Sequence, residues 1–366
     1  MKIEALTSLR FFAAMLVVLF HYGLAHPNFP VPLPSFGYEA VTFFFVLSGF
    51  VLVCSFRNSS RTALNFYRMR IVRIWPAYIL GLILALPFYL RTGVPTASGT
   101  IAVIFMLQAW WPPWALLWNI PAWSLSNEAF FYAAFPLLLA IIIRCRSKSL
   151  VITGAYILVL VSGAVRDSVA SQHDFAAYFP LFNFPEFIFG MALGHAYVSS
   201  SISLQGRWRT IFTGCLFIVA VLICLVSFSS LFSRPEVLTA VFGMLIYSAA
   251  KSGPLGPLSF GPLVLLGEAS YGIYIFHWPL WFYWIHIRTA FRLNDLPQSI
   301  DLALYLMIVI AFSIVSLVAL ERPFQNHQSR TRRSMPSAHL SPNRRGEVGT
   351  GVATCCRAGK RHTKRI

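Results

Sequence analysis

The chain has 366 residues, of which 57% are hydrophobic and only 11% charged, with a mean hydropathy of +0.67. A soluble domain carries about 25% charged residues, so composition excludes a soluble globular protein and indicates an integral membrane protein. The net charge of +17 invites a nucleic-acid reading, but residues 322–366 hold 11 Lys and Arg against one acid, which confines +10 of the excess to one tail and argues against nucleic acid as a partner.

In chain order, apolar runs of spanning length predict ten transmembrane helices: about 9–25, 38–56, 74–91, 128–143, 150–166, 176–197, 211–231, 236–250, 263–287 and 302–320. The expected fold is therefore all-α and polytopic, with the lipid bilayer as a partner. The first run, SLRFFAAMLVVLFHYGLA, holds Arg10 and has no small-residue cleavage site after it. It reads as a retained span rather than a signal peptide. The stretch 100–120 is broken by Trp110, Trp111, Pro112, Pro113 and Trp114, which suits a re-entrant or interfacial segment better than a straight span. No internal repeat is visible. The expected domains are a membrane-embedded domain over 1–324 and a disordered basic tail over 325–366, rich in Ser, Pro, Gly and Arg.

Basic residues orient the bundle. With the N-terminus inside, only Arg91, Arg166, Arg234, Arg288 and Arg292 fall in outer loops, and 24 of 29 Lys and Arg lie inside. That asymmetry places both termini in the cytoplasm, and the tail reads as a solvated end lying against anionic headgroups. The six cysteines form no CxxC pair, lie where no oxidising compartment reaches them, and make no disulfide framework. The nine histidines lack ligand spacing, so no metal site is expected, and no phosphate-loop glycine pattern appears.

Ionisable groups inside the spans carry the functional signal. Arg10 and His21 lie eleven residues apart, which returns an α-helix to nearly the same face and separates the side chains by roughly 16 Å. This predicts a cation near one surface and an imidazole about halfway across; buried ionisable groups of this kind read as functional by default. In RMRIVRIWPAY (68–78), Arg70 and Arg73 share a helix face, with Arg68 beside them. Guanidinium forks there suit phosphate oxygens, against the plainer role of a basic collar at a cytoplasmic helix end. In PAWSLSNEAFFYAAFP (121–136), Glu128 is expected at the outer entry of the fourth span, where it can bind a hydroxyl, act as a base, balance Arg10 and His21, or simply favour the helix dipole. Small polar residues beside aromatics in FFFVLSGF (43–50) and GEASYGIYIFHWPL (267–280) are expected to line a cavity or let helices pack closely, with Ser48, Tyr271 and His277 as the cavity-lining candidates. Glu321 in LERPF is expected to pair with nearby arginines.

These segments together resemble the acyltransferase-3 family of integral membrane proteins, which includes the O-antigen acetylases. The resemblance rests on six motifs in order: Arg10 with His21, FFVLSGF, Arg70 with Arg73 followed by Pro76 and Tyr78, WSLSNEAFFY around Glu128, SYGIYIFHWPL, and ERPF. It covers residues 6 to about 324. It implies an enzyme of a bacterial inner membrane that takes an acyl group, acetyl by default, from cytoplasmic acyl-CoA. The acceptor it implies is a hydroxyl of a surface glycan, a lipid-linked precursor or a glycosylated small molecule. It also implies His21 as catalytic residue, Arg10 as its companion, and Arg70 and Arg73 as contacts for coenzyme A phosphates, with acyl-CoA as co-substrate. Two departures stand out. Many relatives carry Gly and Asp just before FFVLSGF, where this chain has Ala40 and Thr42 with Glu39 close by; some also carry an extracytoplasmic hydrolase-like domain, where this chain has its basic tail.

Histidine suits the implied chemistry because its ordinary pKa near 6.5 lets it take a proton from a hydroxyl at neutral pH; a neutral imidazole also serves as an acyl-accepting nucleophile. The competing class is a transporter or flippase using Arg10, His21 and Glu128 as a charge relay.

Overall fold

A computed structural model describes residues 3–26, 36–57, 62–91, 96–170, 174–199, 214, 235–251 and 256–326. The expected seventh span and the tail from residue 327 lie outside them, as do Cys215, Cys224, Cys355 and Cys356. The described residues hold helices and no strand. They are α1 (Glu4–Ala25), α2 (Phe36–Phe56), α3 (Ala63–Arg91), the short α4 (Ala97–Ile104), α5 (Trp123–Ile142), α6 (Lys148–Ala170), α7 (Pro180–Ser199), α8 (Pro235–Lys251), α9 (Gly261–Ala290) and α10 (Gln298–Ser316). Six segments are long and apolar enough to cross a bilayer: Glu4–Ala25, Glu39–Phe56, Ala63–Arg91, Ile120–Ile142, Lys148–Ala170 and Gln298–Asn326. The protein is thus an all-α, multi-pass membrane protein. Its outward side chains agree: Ile83, Leu90, Leu137, Leu150, Val161 and Met307 are exposed, which suits contact with lipid.

Helix starts differ from the hydropathy reading where polar residues extend an apolar span. α1 begins at Glu4 and α3 at Ala63, so RMRIVRIW is helical throughout. His21 therefore lies in the last turns of α1, well past the midpoint that the shorter predicted span implied. The 100–120 stretch is α4 followed by single turns at Gln108–Trp110, Pro112–Trp114 and Ile120–Ala122. Met106, with a positive φ of 57°, marks the end of α4, and Pro112, Pro113 and Pro121 break the later turns, because each ring removes a backbone donor and blocks helix continuation.

Two apolar clusters hold the bundle. One joins α1, α2, α3, α5, α7, α9 and α10; the other joins α1, α2, α6, α7 and α8. α1, α2 and α7 are common to both. Close approach at these seams requires glycine. A Cβ on Gly190 would lie 2.0 Å from the Val46 carbonyl oxygen, and one on Gly49 would lie 2.1 Å from that of Phe187. Gly190 and Gly194 form a GxxxG face, the small-residue pattern that lets membrane helices touch backbone to backbone. On the other side, Gly267 of α9 meets Thr7 of α1 in the same way. That contact sets α1 and α9 side by side and in parallel.

Charge also ties the helices. At the end away from the basic collar, Arg166 of α6 pairs with Glu236 of α8 at 3.0 Å. At the same end, buried Asp301 accepts from Tyr22 Oη (2.7 Å), Trp284 Nε1 (3.0 Å) and Arg288 Nη1 (2.7 Å), joining α1, α9 and α10. At the basic end, Lys148 Nζ donates to the Ser199 carbonyl at 2.9 Å, and Arg57 donates to the His195 carbonyl at 3.1 Å.

Candidate active site

A cavity of about 580 Å³ opens among α1, α2, α3, α5, α9 and the end of α10. Its wall brings together Arg10, Arg70 and Arg73 from two helices, with Glu128 and Glu321 from two others. Arg10 makes neither a hydrogen bond nor an ion pair to a described residue, although Glu128, Tyr132 and Glu321 lie within its electrostatic reach. Arg70 sits over the rings of Phe66 and Tyr132, each centroid 5.9 Å from its Cζ, and its buried Nε has no partner. Three guanidiniums thus face two carboxylates at the basic end of the bundle. The formal excess of positive charge, with donors left unpaired, is chemistry that suits an anion.

The carboxylates enter by different routes. Glu128 accepts from Tyr132 Oη at 2.8 Å, one turn along α5, which leaves Ser48 Oγ to donate to the Tyr132 oxygen at 3.2 Å. Glu321 comes from a π turn, Leu317–Glu321, that interrupts the helix running from α10 to Asn326. A π turn adds a residue to one helical turn and re-aims the side chains beyond it; here Leu317 and Glu321 both reach the cavity wall. Glu321 Oε1 is buried and unpartnered, while the neighbouring Arg322 pairs with Glu268 at the mouth, 2.5 Å apart. The expectation that Glu321 pairs with arginines is met only as proximity to Arg73 and Arg10.

The deep end of the cavity is closed by Ser124 and Tyr274. Their hydroxyls lie 2.7 Å apart, and each reaches the Pro121 carbonyl, at 3.1 and 3.0 Å. The Trp- and Pro-rich strap before α5 fixes that carbonyl. Trp118 Nε1 bonds the Leu82 carbonyl (2.8 Å) and Asn119 Nδ2 bonds the Ile275 carbonyl (3.0 Å). Ile275 needs this partner because Pro279, four residues on, has no N–H to give it. Trp118 also takes a positive φ of 69°, an uncommon conformation for a bulky residue and one that stores strain.

Behind Tyr274 lies a histidine pair. The Tyr274 and His277 ring centroids are 6.3 Å apart, and those of His277 and His21 are 5.0 Å apart. His277 is fully buried, and its Nε2 lies 3.2 Å from Nδ1 of His21. Trp278 and Phe20 pack edge-on against the half-buried His21 ring, with centroids at 5.4 and 5.0 Å.

Of the residues expected from sequence, the cavity gathers Arg10, Arg70, Arg73, Glu128, Ser48 and Tyr271. Arg68 is exposed on α3 and is not part of the wall. His277, expected to line the cavity, does not: its ring lies behind Tyr274, held there by the helix turn and by His21. His21 is likewise outside the wall, so Arg10 and His21 share a helix face but not a chamber. Sequence reasoning did not single out Ser124, Tyr132, Tyr274 or the Glu268–Arg322 pair. The SxxxE and ExxxY spacings around Glu128 were available signals, since residues four apart share a helix face.

Comparison with known proteins agrees with this architecture. Acyltransferase MdmB of Streptomyces mycarofaciens is 31% identical over 153 residues, 37% of this chain and 39% of MdmB. Exopolysaccharide production protein ExoZ of Rhizobium meliloti is 28% identical over 250 residues, 66% of this chain and 76% of ExoZ. O-acetyltransferase OatA of Staphylococcus aureus is 21% identical over 329 residues, 76% of this chain and 50% of OatA. The matched region is thus well under half of MdmB and half of OatA. No solved structure matches. The family model of the acyltransferase domain matches residues 3–321, from the first helix to the π-turn glutamate, and the chain therefore belongs to the acyltransferase-3 family.

Proposed function

We propose that this enzyme moves an acyl group, acetyl by default, from cytoplasmic acyl-CoA to a hydroxyl of an extracytoplasmic or lipid-linked glycan or a glycosylated small molecule. The observation that carries the donor assignment is the cavity of about 580 Å³ whose basic mouth presents Arg10, Arg70 and Arg73. Coenzyme A carries several phosphate charges on one end of a long flexible arm. Arginine forks bind such charges well, and the arm then points into the cavity. The excess of Lys and Arg on one side supports a cytoplasmic location for this mouth and both termini, and the family resemblance supports a bacterial inner membrane. The acceptor class draws support from relatives: one is named for exopolysaccharide production, another as an O-acetyltransferase.

His21 is the catalytic base in this reading. The acceptor hydroxyl gives its proton to His21 as its oxygen attacks the thioester carbonyl. The C–S bond then breaks, and the coenzyme A thiolate recovers that proton from His21, leaving an ester and a free thiol. Tyr274 and Ser124 stand between the cavity and the imidazoles, so the thioester reaches His21 only when the Tyr274 side chain leaves the Pro121 carbonyl. Glu128 and Arg10 hold the chamber behind the arm in electrostatic balance.

The test uses purified protein in detergent with labelled acetyl-CoA and a panel of glycan acceptors. Acceptor-dependent coenzyme A release that vanishes in His21→Ala supports the reading. A well-folded protein that releases none with any donor, or a His21→Ala variant with normal turnover, overturns it. Labelled acyl-enzyme accumulating without acceptor would replace the base by an acyl-histidine step.

A further inference from the structure

The histidine pair has a definite proton arrangement, because backbone carbonyls only accept. His277 Nδ1 lies 2.7 Å from the Tyr274 carbonyl oxygen and 3.3 Å from that of Ile273, so it carries a proton. In the neutral ring, Nε2 of His277 is then a bare acceptor. Nδ1 of His21 lies 2.9 Å from the Val17 carbonyl oxygen and 3.2 Å from that bare nitrogen, so it too carries its proton and shares it between the two acceptors. This leaves Nε2 of His21 unprotonated, with no hydrogen bond to any described residue.

We propose that His277 is a positioning residue for the acyl transfer: by accepting from Nδ1–H of His21 it holds that ring in the tautomer whose Nε2 lone pair faces the reaction. The inference rests on the reading of His21 as the base. The residue on the other side of a catalytic histidine decides which nitrogen is free, which is the role a carboxylate plays in hydrolase triads. A second imidazole does this without burying a further fixed negative charge against the reacting ring, where an unpaired charge is expensive. When His21 takes the acceptor proton, the Nδ1–H contact becomes charge-assisted and shortens, which stabilises the imidazolium as it forms. Neighbouring groups hold the pair in place. His277 is fully buried, and its own carbonyl accepts from Tyr305 Oη at 2.9 Å. Pro279 and the Asn119 bond to Ile275 fix the helix turn around it.

The experiment combines kinetics with nitrogen NMR of ¹⁵N-histidine protein in lipid, the His21 signals being assigned by difference from His21→Ala. In the wild type, His21 is expected to show a protonated Nδ1 and a bare Nε2. His277→Phe keeps the ring volume and removes the acceptor. It is expected to lower kcat by about 10²-fold, to leave KM for acetyl-CoA within about twofold, and to populate the Nε2–H form of His21. His277→Gln, whose Oε1 can accept from Nδ1–H, is expected to restore much of kcat. Wild-type kcat in His277→Phe, or an Nε2–H tautomer in the wild type, overturns the proposal. If His277→Phe fails to insert, the wild-type tautomer still decides it. Normal turnover in His21→Ala would instead remove the base assignment, an outcome separable because the tautomer measurement does not depend on activity.

Discussion

Gly267 is where the α1–α9 contact can be tested most sharply. A Cβ added there would lie 2.0 Å from the Thr7 carbonyl oxygen, 2.5 Å from its carbon and 3.0 Å from the Ser8 nitrogen, all backbone atoms that cannot rotate away. Ordinary contact begins near 3.4 Å, so Gly267→Ala must part the two helices by about 1.4 Å at this level. Overpacking of this kind costs about 1–3 kcal/mol, set against a helix-propensity gain for Ala over Gly of about 1 kcal/mol. Gly154→Ala supplies the control, because nothing lies within 4 Å of its added Cβ and only the propensity gain remains. Thermal unfolding in detergent should therefore show Gly267→Ala less stable than wild type and Gly154→Ala at least as stable. Turnover should fall in Gly267→Ala as well, since the same helix pair carries the 3.2 Å His21–His277 contact, which has little room to stretch. Equal stability of the two variants would refute the backbone-contact argument.

Arg70→Ala and Arg73→Ala should each weaken acyl-CoA binding by about 1–3 kcal/mol, seen chiefly as a raised donor KM; wild-type binding in both would reduce them to a topological collar. Asp301→Ala removes the shared acceptor of Tyr22, Trp284 and Arg288. Because it strands a partly buried guanidinium, it should destabilise by about 3–5 kcal/mol; an unchanged unfolding midpoint in detergent would contradict that. Truncation after His327 keeps Gln325 and Asn326, which line the cavity mouth. It should leave insertion and transfer largely intact, and loss of transfer in an inserted truncate would show that the basic tail belongs to the enzyme.

The helical architecture was legible because bilayer thickness forces long apolar runs, and nine of the ten expected runs coincide with helices, the other lying outside the described residues. Helix ends were less legible. Glu4, Arg68 and Arg70 are polar yet continue their helices, since a span can extend past the hydrocarbon into the headgroup region. The GxxxG face at Gly190 and Gly194 was visible in sequence but carried no partner; only the fold shows that it meets Val46 and Phe50 of α2. The π turn at Leu317–Glu321 had no signal at all, because nothing in LVALE breaks the apolar periodicity it re-aims. The pairing of Asn119 with the carbonyl freed by Pro279 joins residues 156 positions apart, a distance over which local patterning is silent.

The Arg10–His21 spacing shows how a shared helix face need not mean a shared cavity. Eleven residues do return the helix to one face, but they also raise the second side chain by roughly 16 Å. Over that rise α1 passes from the wall of the cavity to the far side of the Tyr274–Ser124 closure. One helix thus presents a cation to the cavity and an imidazole to a different neighbour, and α9 runs beside it in parallel with Tyr271 and Tyr274 below and His277 above. In the proposed reaction, acyl-CoA phosphates at Arg70 and Arg73 and a base at His21 would be separated by Tyr274. Its hydroxyl is tied to a carbonyl of the proline-rich strap and lies beside that of Ser124. The strap, which sequence marked only as an interrupted span, is therefore the element that would keep donor and base apart in that reaction. Moving the Tyr274 ring off the Pro121 carbonyl is the smallest change that would join them.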